Sequence, residues 1–390
     1  MQYIHKHISS LLSAYKGEMP LANFLKFYFK KHPILGSRDR KILSEMAYCY
    51  YRSAKGLLPQ SLSLSEKINS ALLLSESNLP QVKQFLPEQA QSIYGKSFEE
   101  NSKALHEQKI GFNFDNLCEK EIVFSEGINK ADWLRSMLSR PKLFLKVVPQ
   151  YYSEVLLLLQ EALLVFETFD DCGIALPNGT SVEKILSPKM YRIQDASSQQ
   201  TAKFFQVQNN ESCWDCCSGA GGKSLLIKDI APRSLLCVSD VRKSILDNLA
   251  ERFHLYGYPI PERLLLSVAD EQQTQSVLAN RRFDHIIADV PCSGSGTWAR
   301  TPEQLYYFDA ASLHSFSQRQ KEIAHNALRY LGPNGGTFTY ITCSVFAEEN
   351  EGVVADILEK NSSIKLVQQK LINGVASGAD SMFVAVFTPK

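Results

Sequence analysis

The pattern of hydrophobic positions divides the chain into a helical N-terminal part and a C-terminal part in which strands alternate with helices. In the first hundred residues, apolar side chains recur at helical spacing, as in PLANFLKFYFKKH (20–32) and RKILSEMAYCYYR (40–52). That period predicts amphipathic helices. Together with a polar linker from about 112 to 135, this part forms a predicted all-helical domain over residues 1–135.

A small α+β insert is predicted next, over residues 136–190. LFLKVV (143–148) and GIALPN (173–178) are strand-like, and an apolar helical run from 153 to 167 lies between them. A strand, a helix and a strand within so short a stretch indicate a small α+β segment.

After residue 190, short apolar strands alternate with helical segments, which predicts an α/β domain over residues 191–390. Such alternation is typical of a parallel, doubly wound sheet, in which ligands lie outside the carboxyl ends of the strands. The five predicted strands are SCWDCC (212–217), LLCVSD (235–240), RLLLSVAD (263–270), FDHIIADVP (283–291) and GGTFTYITC (335–343).

The charged residues are balanced over the whole chain but unbalanced in one N-terminal segment. Lys plus Arg totals 42 against 41 for Asp plus Glu, so the overall charge indicates no polyanionic partner. Between Lys26 and Lys55, however, eight cations stand against two acidic residues, a local net of +6 (8 − 2). This run predicts a basic N-terminal surface; a solvated helix face with nothing bound is the alternative.

The cysteines and the apolar runs indicate in which cellular compartment the protein is expected. The nine cysteines are an odd number in a long chain without a secretory pattern, which favours reduced thiols in a cytoplasm. The apolar run at 151–169 is too short to span a bilayer. We therefore expect a cytoplasmic protein that is neither exported nor inserted in a membrane.

A glycine-rich turn, DCCSGAGGK (215–223), follows the first predicted strand and leads into a helix. Glycine allows the close backbone approach that a ligand-cradling loop requires. The spacing is neither that of a dinucleotide fold nor that of a phosphate loop. Asp240 and Asp270 end the next two predicted strands, where carboxylates could accept hydrogen bonds from a ribose and an adenine amino group; a helix cap or turn is the alternative for each.

Two cysteines complete the candidate chemistry. ADVPCSGSGTWARTPE (288–303) places a Pro-Cys pair after the fourth predicted strand, and TYITCSVFAEENE (339–351) places a Thr-Cys pair after the fifth. Both thiols are then expected to face one cleft, beside acidic residues and the glycine-rich loop. The alternative is that both are small buried hydrophobic residues.

These motifs resemble those of the Sun family of RNA 5-methylcytosine methyltransferases, and the resemblance covers nearly the whole chain. The helical stretch 20–52 resembles the NusB-like domain of the family's ribosomal RNA members, and the insert resembles their RRM-like segment. The fold implied for the C-terminal domain is a Rossmann-like class I methyltransferase. The segments that match in order and spacing are QDASSQ, CSGAGGK, DVPCSGSGTWARTPE, GGTFTYITCSVFAEENE and GADSMFVAVF.

The resemblance implies S-adenosylmethionine as the cofactor and no metal. Ala220 departs from the family pattern, where proline is common, but the glycines and Lys223 are intact. QDASSQ departs too, since an acidic residue after its Asp is common. The implied cofactor-binding residues are Cys217, Ser218, Gly219, Ala220, Gly221, Gly222, Lys223, Asp240, Asp270 and Asp289.

The resemblance also assigns the catalytic roles. Cys343 would be the nucleophile, because a thiolate that adds to carbon 6 of cytosine makes carbon 5 reactive toward a sulfonium methyl group. Asp289 would hydrogen-bond the pyrimidine edge and stabilise the adduct. Cys292 would assist release of the product, although a water could remove the carbon 5 proton. In DNA cytosine-5 methyltransferases the Pro-Cys cysteine attacks instead, which makes Cys292 the alternative nucleophile.

The implied partner is RNA, presented as a single strand or a loop, because the target base must leave any helical stack. Lys142, Lys146 and Arg300 are candidates for contacts with phosphates or the flipped base, and solvated surface charge is the alternative for each. Small-subunit ribosomal RNA is favoured, with transfer RNA as the alternative. A catalytically inert RNA-binding or ribosome-assembly factor is a further alternative. A monomer is the default expectation.

The two cysteines can be distinguished by substitution. We expect Cys343→Ala to abolish methyl transfer, because no thiol then attacks the base. Cys292→Ala should permit attack and accumulate a covalent RNA adduct, visible as a shifted band in a denaturing gel. An adduct that accumulates with Cys343→Ala instead would reverse the assignment.

Overall fold

The structure is a computed structural model that describes residues 2–77, 79–333 and 335–390. The helices are Gln2–Ala14 (α1), Leu21–Lys31 (α2), Ser37–Ser53 (α3), Leu64–Leu74 (α4), Pro80–Lys83 (α5), Glu88–Gln91 (α6), Phe98–Glu107 (α7), Lys130–Ser136 (α8), Tyr152–Glu161 (α9), Ala196–Gln200 (α10), Gly222–Ile230 (α11), Lys243–Leu255 (α12), Glu271–Leu278 (α13), Pro302–Tyr307 (α14), Ser312–Leu328 (α15) and Glu351–Lys360 (α16).

The strands form three sheets, and the chain divides into two compact units. The first unit holds residues up to 122 with 129–140 and 297–310, and the second holds 123–128, 141–296 and 311–390. The strands are Leu57–Leu58 (β1), Gly111–Phe112 (β2), Leu143–Val147 (β3), Glu167–Phe169 (β4), Gly173–Leu176 (β5), Tyr191–Ile193 (β6), Ser212–Asp215 (β7), Leu235–Asp240 (β8), Glu262–Leu265 (β9), His285–Asp289 (β10), Thr337–Thr342 (β11), Ile364–Ile372 (β12) and Met382–Pro389 (β13).

The first unit is built from helices, as its hydrophobic spacing predicts, apart from the two-residue strands β1 and β2, which pair antiparallel. Local sequence determines where the helices begin. Ser63 accepts a hydrogen bond from the Glu66 N–H while the Glu66 carboxylate accepts from the Ser63 N–H, and this capping box starts α4. Ser97 and Glu100 start α7 in the same way. No helix in the described part of the chain is both long and apolar enough to cross a membrane.

Arg52 corrects the predicted basic surface. Its side chain is only 2% exposed and donates to the carbonyl oxygens of Met137, Ser139 and Ala299 at 2.7, 3.0 and 2.6 Å. A buried guanidinium that donates to three carbonyls ties separate segments of the unit together and is not available to an external partner. The prediction that counted Arg52 among surface cations is therefore wrong.

Residues 297–310, which follow the Pro-Cys motif in sequence, belong to the helical first unit. The Leu21 N–H, at the start of α2, donates to the carboxylate of Glu303 at 3.0 Å. The hydroxyl of Tyr307 donates to the Tyr15 carbonyl oxygen at 2.9 Å. The segment that continues from the Pro-Cys motif therefore contributes one helix, α14, to the helical unit.

The second unit contains the predicted α/β sheet. Seven strands lie in the order β12-β13-β11-β10-β7-β8-β9. The five strands from β11 to β9 are parallel, and β13 and β12 extend the sheet with antiparallel pairing. Chain order reverses at β7, whose neighbours are β8 and β10, so β7 and β10 form a topological switch point.

Several element boundaries differ from the predictions. The third strand ends at Leu265 rather than at Asp270, and the helical run in the insert ends at Glu161 rather than at residue 167. The predicted linker is wrong for residues 123–128, because the Ser125 N–H donates to the Val345 carbonyl at 2.9 Å within the second unit. The insert itself is an antiparallel four-stranded sheet, β4-β5-β3-β6.

Candidate active site

A cavity of about 550 Å³ lies at the carboxyl ends of the parallel strands, beside the switch point. Its size is within the range of small-molecule sites. Six residues expected from sequence line it. They are Cys217, Gly219, Asp240, Asp289, Cys292 and Cys343.

The loop after β7 needs glycine at two positions for different reasons. Gly219 has φ +51° and no atom within 4 Å of where a Cβ would stand, so its backbone is open to a ligand. Gly221 has φ +81°, and a Cβ there would stand 2.9 Å from Leu249 Cγ. The Ser218 N–H donates to the Ser239 carbonyl at 2.9 Å, which ties the loop to β8. Helix α11 then begins at Gly222, with its free N–H groups at this edge of the sheet.

Lys223 and Asp289 form an ion pair beneath the cavity. Lys223 Nζ lies 3.0 Å from Asp289 Oδ2, and the lysine side chain is 7% exposed against 29% for the aspartate. Lys223 also donates to the Ser198 hydroxyl at 3.0 Å. Breaking such a buried pair leaves an uncompensated charge, so each partner depends on the other.

Asp240, at the end of β8, has both carboxylate oxygens engaged. Arg242 Nε donates to Oδ1 at 3.0 Å, and Arg242 Nη2 donates to Oδ2 at 3.1 Å. Asp240 is buried, whereas the Arg242 side chain is 61% exposed. An exposed guanidinium gains little from this pair and can rotate away when another donor approaches the carboxylate.

The two cysteines meet at the top of β10 and β11. These strands are parallel and in register from His285 opposite Thr337 to Asp289 opposite Ile341, so both loops leave the same edge. Cys292 Sγ lies 3.3 Å from Cys343 Sγ. The hydrogen bond with Cys343, together with burial, holds the pKa of the Cys292 thiol well above its ordinary value. Cys292 is therefore protonated near neutral pH and can donate to the sulfur of Cys343.

Gly296 holds the loop that follows Cys292 against the base of Cys343. Its N–H donates to the Cys343 carbonyl at 2.8 Å, and its carbonyl accepts from the Ser381 N–H at 2.9 Å. A Cβ at this position would stand 2.1 Å from the Ser381 carbonyl oxygen. Only glycine allows this approach of three backbone segments.

Some residues predicted for the cofactor site do not line the cavity. Asp270 lies beyond the end of β9 and caps α13, where its carboxylate accepts from the Gln273 N–H at 2.9 Å. Lys223 reaches the site through Asp289. The carbonyl of Ala220 accepts from Arg252 Nη1 at 2.6 Å. Ser218, Gly221 and Gly222 shape the loop behind the lining residues.

Other residues at the site are absent from the sequence-based prediction. Arg242 engages Asp240, and Arg319, on α15, lines the cavity with an exposed side chain. Asp215 ends β7 fully buried, and the Ser224 hydroxyl donates to it. Glu349 is fully buried behind the cysteines. Asp215 opens the glycine-rich motif and Glu349 lies within the Thr-Cys motif, whereas Arg242 and Arg319 lie outside the motifs singled out in the sequence.

The fold and this site define a Rossmann-like methyltransferase with a pair of thiols at the switch-point edge. Residues 202–390 match the family model described as 16S rRNA methyltransferase RsmB/F. This match over the C-terminal part of the chain confirms the resemblance drawn from the motifs.

The chain is also similar to individual proteins. The ribosomal RNA small subunit methyltransferase B of Proteus mirabilis is 26% identical over 349 residues, which cover 85% of this chain and 78% of that protein. The crystal structure of PH0851 superposes with a TM-score of 0.69 at 17% identity over 94% of each chain. The crystal structure of NSun6 from Pyrococcus horikoshii with SFG gives 0.58 at 14% identity over 71% of this chain and 96% of that one. Both structures show that the fold is shared.

Asp215 predicts a pH dependence of stability. Burial raises the pKa of its carboxyl to about 7, against about 4 in an unfolded chain. The folded state thus binds the proton more tightly, and stability falls as pH rises from about 4 to about 7. Asp215→Asn should remove up to about 4 kcal/mol of that loss, so the variant's unfolding free energy relative to wild type should increase across this range.

Urea unfolding at a series of pH values measures this difference. Asp284→Asn is the control, because hydrogen bonds from Ser212 lower the pKa of Asp284 and its contribution is lost as pH falls. Its difference from wild type should therefore stay nearly constant above about pH 5 and change in the opposite direction only below it. A pH-independent difference for Asp215→Asn would show that the buried carboxyl is already ionised at low pH.

Proposed function

We propose that this chain transfers a methyl group from S-adenosylmethionine to carbon 5 of a cytosine in small-subunit ribosomal RNA. The observation that carries the proposal is the contact of Cys292 and Cys343, 3.3 Å apart, in a cavity that Asp289 also lines. Two thiols suit an addition and elimination at one base, in which one attacks and the other assists release. The name of the Proteus mirabilis relative supports ribosomal RNA as the substrate.

The cavity suits the proposed cofactor. Its volume, the open backbone at Gly219 and the buried carboxylate of Asp240 offer a surface for close approach and an acceptor for hydroxyl groups. Asp270 would contribute by fixing the start of α13 rather than through its own carboxylate. When bound, S-adenosylmethionine supplies an electrophilic methyl group.

Cys343 is the proposed nucleophile. Its sulfur adds to carbon 6 of the cytosine, which increases the electron density at carbon 5, the atom that receives the methyl group. Asp289, held by Lys223, hydrogen-bonds the ring edge where charge develops. The carbon 5 proton then leaves to a base, and the bond between Cys343 and carbon 6 breaks. Cys292, as a protonated thiol beside Cys343, returns a proton to the departing sulfur.

The remaining parts of the chain are assigned to RNA binding in a cytoplasmic protein. The three-part division into residues 1–135, 136–190 and 191–390 stays a proposal, as do the NusB-like and RRM-like assignments of the first two parts. Lys142 forms an ion pair with Glu167 at 2.8 Å, which competes with its proposed phosphate contact. Lys146 and Arg300 are the other proposed contacts. The proposal takes the chain as a monomer.

Transfer RNA as the substrate and a catalytically inert assembly factor are the competing functions. Calorimetric titration with S-adenosylmethionine separates the second, because an inert factor has no reason to bind the cofactor. We expect the full chain to bind, with affinity reduced in Lys223→Met because Asp289 loses its partner. Absence of binding by the wild-type chain would favour the inert factor.

Bisulfite sequencing of RNA from a deletion strain identifies the substrate. One cytosine of small-subunit ribosomal RNA should lose its protection in the deletion strain. Protection should return with the wild-type chain and not with Cys343→Ala. A protected cytosine that disappears from transfer RNA alone would replace the proposed substrate, and no change in either RNA would contradict the proposed activity.

A further inference from the structure

A buried carboxylate connects the two loops that carry the cysteines. Glu349 is 0% exposed and lies between β11 and α16. Its Oε1 accepts hydrogen bonds from the Ser293 N–H at 2.7 Å and from Gln320 Nε2 at 2.9 Å. Its Oε2 accepts from the hydroxyls of Ser293 at 2.6 Å and Ser344 at 2.5 Å.

The two serines are the residues that directly follow the cysteines. Ser293 follows Cys292, Ser344 follows Cys343, and both serines are buried. One side chain therefore sets the separation of the two loops at the positions next to the sulfur atoms. A glutamate is long enough to reach both serines, and its two oxygens offer enough lone pairs for all four donors.

An ionised Glu349 can accept from all four of these donors, because each carboxylate oxygen accepts two hydrogen bonds. No lysine or arginine forms an ion pair with Glu349 within residues 2–77, 79–333 and 335–390. Its negative charge is therefore stabilised by neutral donors and stays available to act on the neighbouring thiols.

We propose that Glu349 is a positioning residue that holds Cys292 and Cys343 in contact by clamping Ser293 and Ser344, and that its charge favours the protonated form of Cys292. The proposal rests on the proposed function for its catalytic meaning, because the contact that it maintains places Cys292 beside the sulfur that departs from the base. Glu349 also contributes to the raised pKa of Cys292, after the hydrogen bond with Cys343 and burial.

Other groups act on Cys292 as well, and a substitution at Glu349 leaves them in place. The groups that face it or share its cavity are Tyr340 on β11, Cys343 directly after β11, Cys217 after β7, Asp289 with Lys223, Asp240 with Arg242, and Arg319 on α15.

Two substitutions separate the charge of Glu349 from its reach. Glu349→Gln keeps the length and removes the charge, and the serine hydroxyls can reorient to accept from the new amide. Glu349→Asp keeps the charge but is one methylene shorter, so it cannot reach both serines. Asp356→Asn is the control, because it neutralises a largely buried carboxylate of α16 that binds His325 and Lys360 instead.

The first measurement is the pH dependence of iodoacetamide alkylation at Cys292, followed by peptide mass spectrometry on the full chain. In Glu349→Gln the midpoint for Cys292 should fall by about one pH unit or more, because a like charge has been removed. Asp356→Asn should retain the wild-type midpoint. An unchanged midpoint in a folded Glu349→Gln protein, with folding judged by its thermal transition, would overturn the role of the charge.

The second measurement is the rate at which diamide oxidises the two thiols to a disulfide. Each thiol loses one proton and one electron. Diamide takes up the resulting two protons and two electrons and becomes the hydrazine. In Glu349→Asp this rate should fall about tenfold or more, because the loops are no longer held together. An unchanged rate of disulfide formation would overturn the proposal that Glu349 holds the two loops together through Ser293 and Ser344. Because this measurement uses Glu349→Asp, it does not depend on whether Glu349→Gln folds. Neither assay uses RNA or cofactor, so failure here is distinct from failure of the proposed methylation.

Discussion

Parallel pairing of β10 with β11 is the constraint on which the site depends. The register of these strands brings the ends of both to one edge, and the loops that follow carry the two cysteines. A slip of one residue would turn every side chain on one strand to the opposite face of the sheet. Gly296 and Glu349 then bring the loops together, one through backbone contacts and the other through a side chain. The thiol contact is therefore the result of sheet pairing refined by two local contacts.

Buried ionisable groups are the second feature that holds the site in one geometry. Lys223 and Asp289 neutralise each other, Glu349 accepts from four neutral donors, and the buried Asp215 accepts from the Ser224 hydroxyl. Each arrangement has a desolvation cost that only a specific set of partners offsets. Such groups contribute little net stability but disfavour any alternative packing that would leave them unpaired. This rigidity suits a site in which two sulfur atoms must keep a fixed separation.

Much of the site could be predicted from local sequence. The glycine-rich loop, Asp289 and both cysteines follow apolar strands, and strand ends of a parallel sheet converge whatever the long-range details are. Asp270 shows the limit of that reasoning, because the strand before it ends at Leu265 and its carboxylate caps a helix. An Asp at the start of a helix and an Asp at the end of a strand have the same appearance in sequence.

The remaining features depend on contacts between distant segments and could not be predicted. The burial of Arg52 requires carbonyls from residues 137, 139 and 299, which come together only in the folded unit. Glu349 resembles its acidic neighbours in the sequence AEENE, and only the structure distinguishes the one that binds both serines. Residues 297–310 continue the Pro-Cys motif in sequence, yet their aromatic and acidic side chains pack within the helical unit.

The most direct measurement is the identity of the cysteine bound to RNA in a trapped complex. The wild-type chain would be incubated with S-adenosylmethionine and an RNA whose target cytosine carries fluorine at carbon 5, which leaves no proton to remove after methylation. Digestion and mass spectrometry then locate the modified peptide. We expect the nucleotide on Cys343, with Cys292 unmodified. A nucleotide on Cys292 would contradict the assigned division of labour between the two thiols.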